Sequence, residues 1–120
     1  MFTANILPGQ GFLQFTVYKD KKVNNSGKVQ SLGLESTNTS FHGMLVNASQ
    51  KEKEVWKQNG HPISHKIIEY SAVKKANATD FLIMDDGREF YVQGVKNPAN
   101  LNVTMIYYVE ERFDLKKIKS

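Results

Sequence analysis

The chain has no cysteine among its 120 residues. Disulfides, thiolate zinc sites and cysteine nucleophiles are excluded together, so stability must come from packing and from assembly. No apolar run approaches the roughly 18 residues that a membrane span needs, so no membrane partner is expected. The first residues, MFTANILPGQG, lack a charged n-region and a long apolar h-region, and the chain is expected to stay on the side of the membrane where it is made. No G-x-S-x-G, Walker loop or H-E-x-x-H occurs, no internal repeat is visible, and strands and helices do not alternate as in a βαβ sheet.

What is present fits one soluble globular domain, with 40% apolar and 23% charged residues. A formal charge of +4 and a pI near 9.3 are compatible with weak attraction to nucleic acid or to an acidic protein surface. Five Asn-x-Ser/Thr triplets, at Asn24, Asn38, Asn47, Asn77 and Asn102, read as Asn-rich loops in a chain without a secretion signal.

Phe12 to Lys19 (FLQFTVYK) has a period of two, with Leu13, Phe15 and Val17 on one side, and predicts a strand with one buried face. Asp20 to Thr37, rich in Asn, Ser, Gly and Lys, reads as a long flexible loop after that strand. Thr39 to Ala48 can be extended, with Gly43 marking a bulge or a close backbone approach. Ser49 and Glu52 have the spacing of a capping box and Gly60 suits a left-handed stop, so a helix of about three turns is expected between them. It is too short to stand alone in water, and Val55 and Trp56 are expected to dock it while Lys51, Lys53, Glu54 and Lys57 face solvent.

Pro62 to Val73 reads as a strand with apolar residues on both faces, followed by a loop over 74–80. Phe81 to Val92 predicts a hairpin with Asp86-Gly87 at its two central positions, which sets Asp85 opposite Arg88, Ile83 opposite Phe90 and Phe81 opposite Val92. Pro98 favours a turn, Val103 to Phe113 a last strand, and 114–120 a basic tail. One mid-chain helix with strands on both sides predicts a mainly β domain, a small barrel or sandwich spanning 1–120 with an N-terminal arm at 1–11.

No residue set supports catalysis or a cofactor. His61 and His65 have a zinc-like i, i+4 spacing only on a helix, which Pro62 argues against; in a strand they stand about 13 Å apart. Asp86 is explained by turn chemistry and Asp85 by its expected partner Arg88. A competing binding reading is a monomeric barrel that stacks single-stranded nucleic acid on Tyr91 and Tyr108 beside the lysines.

The order and spacing of FHG, a charged segment ending in Trp56, HPISHKI, GREFYVQGVKNPANLN and a terminal YYVEE, over residues 39–112, resemble the head-closure proteins of tailed bacteriophages, also called head–tail connector, stopper or minor capsid proteins. The resemblance implies a non-enzymatic barrel subunit without cofactors, present as a homo-oligomeric ring of twelve or six copies in the virion and monomeric before assembly in host cytoplasm. Its implied partners are a portal or adaptor protein, a tail-terminator or tail protein, and the packaged double-stranded DNA in the channel. The segment 20–37 then corresponds to a loop that enters the channel, with Lys19, Lys21, Lys22 and Lys28 facing the channel or a neighbouring subunit. Phe2, Ile6, Leu7, Leu115 and Ile118 are the expected interface arms.

Overall fold

In the computed structural model, which describes residues 12–113, six antiparallel strands close on themselves in the order β1-β2-β3-β6-β5-β4. They are β1 (Leu13–Asn25), β2 (Lys28–Asn47), β3 (His65–Glu69), β4 (Phe81–Met84), β5 (Glu89–Lys96) and β6 (Met105–Arg112). One helix, α1 (Gln50–Gln58), joins β2 to β3, and a 3-10 turn (Pro98–Asn100) precedes β6. The barrel is filled by alternate residues: Phe15 and Val17 from β1, Ile67 from β3, Leu82 from β4, Phe90 and Val92 from β5, Tyr107 and Val109 from β6, all 1% exposed or less. Aromatic rings span the interior, Phe15 against Phe41 at 5.7 Å and Phe41 against Tyr107 at 5.1 Å between centroids.

The expected alternation at Phe15 and Val17, the capping box and the terminal strand appear, with Leu13, at the start of β1, 37% exposed rather than buried. Ser49 Oγ accepts from the Glu52 amide at 3.1 Å while Glu52 Oε1 accepts from the Ser49 amide at 2.9 Å, and Gly60 has φ +82° just past the helix. Gly43 is a close approach: a Cβ there would lie 2.7 Å from Ile67 Cγ2 and 3.3 Å from the Ile68 carbonyl oxygen.

Four expectations change. The segment 20–37 is no loop: β1 and β2 stay paired out to Asn25 and Lys28, where Ser26 and Gly27 (φ +55° and +80°) form a two-residue turn. Polar side chains hide the alternation there because a two-stranded ribbon has almost no core face to fill; Leu34, near its root, is the buried exception. The β4–β5 hairpin has a three-residue loop, Asp85-Asp86-Gly87, so Phe81 faces Tyr91, Leu82 faces Phe90 and Ile83 faces Glu89. Asp86 Oδ1 accepts from the Arg88 amide at 2.9 Å, and Gly87 alone takes positive φ, which adds one residue to the turn and shifts the register by one. Arg88 consequently pairs with Glu111 rather than Asp85. β3 is confined to His65–Glu69 because Pro62 has no amide to donate and the chain turns away after Glu69. Val55 is 48% exposed, so Trp56, half-buried, is the residue that docks α1.

Trp56 stacks on Tyr108 at 4.6 Å and occupies the space above Gly94, where a Cβ would stand 2.7 Å from its Cη2. Gly94→Val is expected to push α1 off the wall, which red-shifts the emission of the single tryptophan and costs about 1–3 kcal/mol. Gly43→Ala is expected to cost at least as much without that red shift, since its clash is inside the barrel; urea melts followed by Trp56 fluorescence separate the two.

Candidate functional site

Antiparallel pairing around the ring makes β1, β3 and β5 run one way and β2, β4 and β6 the other. One end of the barrel therefore carries the β1–β2 ribbon and the connections 70–80 and 97–104; the Asp85–Gly87 turn is at the other, where the chain of α1 departs before packing on the outer wall against Gly94 and Tyr108. β1 pairs with β4 only from Phe15 to Tyr18, and β2 pairs with β3 only from Met44 to Asn47. Beyond those ladders the two strands pair, among the described residues, with each other alone, and the molecule reaches 60 Å in length against 35 and 28 Å across.

The ribbon is anchored at its root. Lys19 Nζ reaches both oxygens of Asp80, at 2.9 and 3.0 Å, and Asp80 Oδ2 also accepts from the Asn77 amide at 2.9 Å. The Asp80 side chain is 8% exposed, so it holds the cation from inside the 70–80 connection. That connection is itself tied to the barrel: the Tyr107 hydroxyl donates to Glu69 Oε1 at 2.9 Å and accepts from the Lys75 amide at 3.0 Å, and Lys75 Nζ bonds Glu69 Oε2 at 2.8 Å. Burial, with Glu69 beside it, pushes the Tyr107 hydroxyl far above the usual phenol range, so it stays a donor at every accessible pH. Between ribbon root and barrel wall lies a cleft of about 410 Å³ lined by Lys19, Asp20, Lys22, Asp80, Phe81 and Tyr91.

The four lysines singled out in the sequence are all on the ribbon, but in different states. Lys19 is committed to Asp80, Lys21 lies 3.4 Å from Glu35 in an exposed pair, and Lys22 and Lys28 have no ion pair among the described residues. Lys28 stands beside the tip turn. The arm residues Phe2, Ile6, Leu7, Leu115 and Ile118 lie outside the described residues. Sequence reasoning missed Asp80 as an anchor, since nothing local joins it to Lys19, 61 positions away. It also missed the ribbon, for which the Ser26-Gly27 dipeptide between Val23 and Val29 was the available signal.

Tyr108 is 9% exposed beneath Trp56, and Tyr91 lies under the Arg112 guanidinium at 4.6 Å and beside Phe81 at 5.0 Å. A base has no open Tyr108 face to stack on. His61 is exposed and His65 is half-buried, its Nδ1 sharing a 2.8 Å hydrogen bond with Ser64 Oγ.

No family model matches the chain, and no curated protein matches it. Among solved structures, the solution structure of protein SF1141 from Shigella flexneri 2a, a structural genomics target, superposes with a TM-score of 0.61 at 16% identity. The match covers 87% of this chain and 96% of that one. At that identity the likeness establishes a shared fold.

Two outcomes follow. Asp80→Ala leaves the Asn77 amide and Lys19 without their acceptor and is expected to cost about 1–3 kcal/mol, whereas Lys19→Met, which removes a half-exposed cation, is expected to cost about 0–1 kcal/mol. Hydrogen exchange should quicken at the ribbon root in both.

The second concerns acid. Burial holds the His65 imidazole below its usual 6.5, and the Arg88 hydrogen bonds hold the Glu111 carboxyl below its usual 4.5. Both groups bind protons more weakly folded than unfolded, so His65 contributes fully above about pH 6.5 and Glu111 above about pH 4.5, each contribution fading as the pH drops toward the folded value. Melting temperature should fall in two steps on acidification; His65→Gln should flatten the upper one and Glu111→Gln the lower.

Proposed function

We propose that this chain is a structural subunit of a phage or prophage head–tail connector, a ring component that closes the DNA-filled head and receives the tail. The observation that carries the reading is the division of the molecule into a closed barrel and a ribbon that leaves it without further strand partners among the described residues. A ring subunit needs two unlike surfaces and an element that reaches beyond its own body, because heterologous contacts close by rotation rather than by self-pairing. The ribbon end also gathers exposed apolar side chains, Val29 and Leu32 on the ribbon with Tyr70, Val73, Leu101 and Val103 on the flanking connections. Apolar residues concentrated at one end are what docking onto a portal-side or tail-side protein requires.

The lysines fit the same reading. A channel that lets duplex slide must not hold phosphates tightly, since each neutralised phosphate adds counterion release to binding. With Lys19 and Lys21 paired to carboxylates, Lys22 and Lys28 remain as the weakly attractive, channel-facing or neighbour-facing cations. No catalytic step belongs to this function. The barrel acts as a spacer and the ribbon as a contact arm.

The test adds the full chain to DNA-filled, tailless heads of the phage whose genome encodes it, followed by sedimentation, mass counting per head and electron microscopy of the vertex. Several copies bound at one vertex, with DNA retained and tails accepted, are expected. Failure to bind heads that carry an exposed portal, together with salt-dependent binding to single-stranded DNA, would overturn the proposal in favour of a nucleic-acid-binding barrel.

A further inference from the structure

On the outer wall of the barrel, α1 lies over β5 and β6 but uses only part of its surface. None of its residues is fully buried. Positions four apart share a helix face, so Glu52 and Trp56 form one row and Lys51 and Val55 the next. The first row is committed: Glu52 caps the helix and lies 3.0 Å from Lys66 Nζ, and Trp56 stacks on Tyr108. The second row is not. Val55 stands open above a cleft of about 220 Å³ whose walls are Lys51, Glu52, Val55, Trp56, Lys96 and Tyr108.

The chemistry of this cleft is specific. Its floor is apolar and aromatic, and it has room for one side chain rather than for a drug-sized molecule. Its rim is cationic: Lys96 Nζ lies 5.4 Å from the Trp56 ring and 5.5 Å from Tyr108, and neither Lys96 nor Lys51 has a carboxylate partner among the described residues. The one acid in the wall, Glu52, is already neutralised by Lys66. A ligand that fits offers an aliphatic side chain to the floor and carboxylates to the two ammonium groups. Tryptophan and tyrosine in a partly open pocket, ringed by charge, are also the side chains that dominate protein–protein binding energy.

We infer that this cleft is a docking site for an extended acidic segment of a partner protein, which inserts one aliphatic side chain between Val55 and Trp56 and sets its flanking carboxylates against Lys51 and Lys96. The occupant completes the docking of a helix that its own chain holds through Trp56 on Tyr108 and the Glu52–Lys66 pair. The site is on the barrel wall rather than on the ribbon and does not depend on the connector reading.

Because Trp56 is the single tryptophan, its emission reports the cleft directly. The probe is the acetylated, amidated peptide Glu-Asp-Leu-Asp-Glu, titrated into the full chain to about 1 mM, the weak end of specific binding. A saturable change in emission is expected. The peptide with Ser in place of Leu should bind at least about tenfold more weakly, and so should the native peptide to the double variant Lys51→Glu, Lys96→Glu. A Lys-Lys-Leu-Lys-Lys peptide should regain binding to that variant, whose melting temperature should stay near that of the parent because both sites are on the surface.

No emission change up to that concentration would overturn the inference. So would equal binding of the Ser peptide, or equal competition by a short single-stranded DNA, since either would mean a general polyanion surface rather than a side-chain pocket. Unaltered binding to the charge-reversed variant would overturn it as well.

Discussion

Everything else in the molecule depends on the seam between β1 and β4. β4 is four residues long, and its ladder with β1, from Phe15↔Met84 to Tyr18↔Phe81, is what turns a curled sheet into a closed barrel. Closure removes the free sheet edges that invite aggregation, and it lets Phe15, Leu82 and Phe90 meet at the centre. The shortness of β4 then decides the rest of the shape. Past Tyr18, β1 has no barrel neighbour on that side among the described residues, and β1 and β2 continue together as a ribbon.

A two-stranded ribbon is marginal in water, and its persistence here follows from how its root is held. Asp80 is fixed by the Asn77 amide and by its place just before β4, so when it grips Lys19 the seam and the ribbon root become one unit. The connection that carries Asp80 is pinned in turn by Tyr107, Glu69 and Lys75. The bond between half-exposed Lys19 and buried Asp80 adds little stability by itself. Its effect is geometric, since it sets the direction in which the strands leave the barrel.

Much of this fold was legible in sequence wherever packing leaves a periodic mark. Phe15 and Val17, Met105 to Val109, and the Ser49–Glu52 box announced their elements because a core face or an orphan amide dictates the residue type. The ribbon was not legible, because between Asp20 and Thr37 Leu34 is the one buried large apolar side chain among the described residues, and a single apolar position carries no alternation to read. The hairpin register failed for a smaller reason: an Asp side chain that accepts from the amide two residues on competes with positive φ, and one added turn residue moves every partner by one. Long-range partners such as Lys19 with Asp80, or Trp56 with Gly94, leave no local signature at all.

The central claim is that a barrel with a rigid, outward ribbon is the working form of this chain, and the absence of cysteine makes it directly measurable. Cysteines introduced at Lys28, beside the ribbon tip, and Asp86, in the turn at the far end of the barrel, would carry a pair of spin labels for distance measurement in solution. The account predicts a narrow distribution centred beyond the 35 Å width of the molecule, with the ribbon extended along the 60 Å axis. A broad distribution centred well below 35 Å would contradict it, because a segment that collapses onto the barrel or wanders freely is not an outward ribbon.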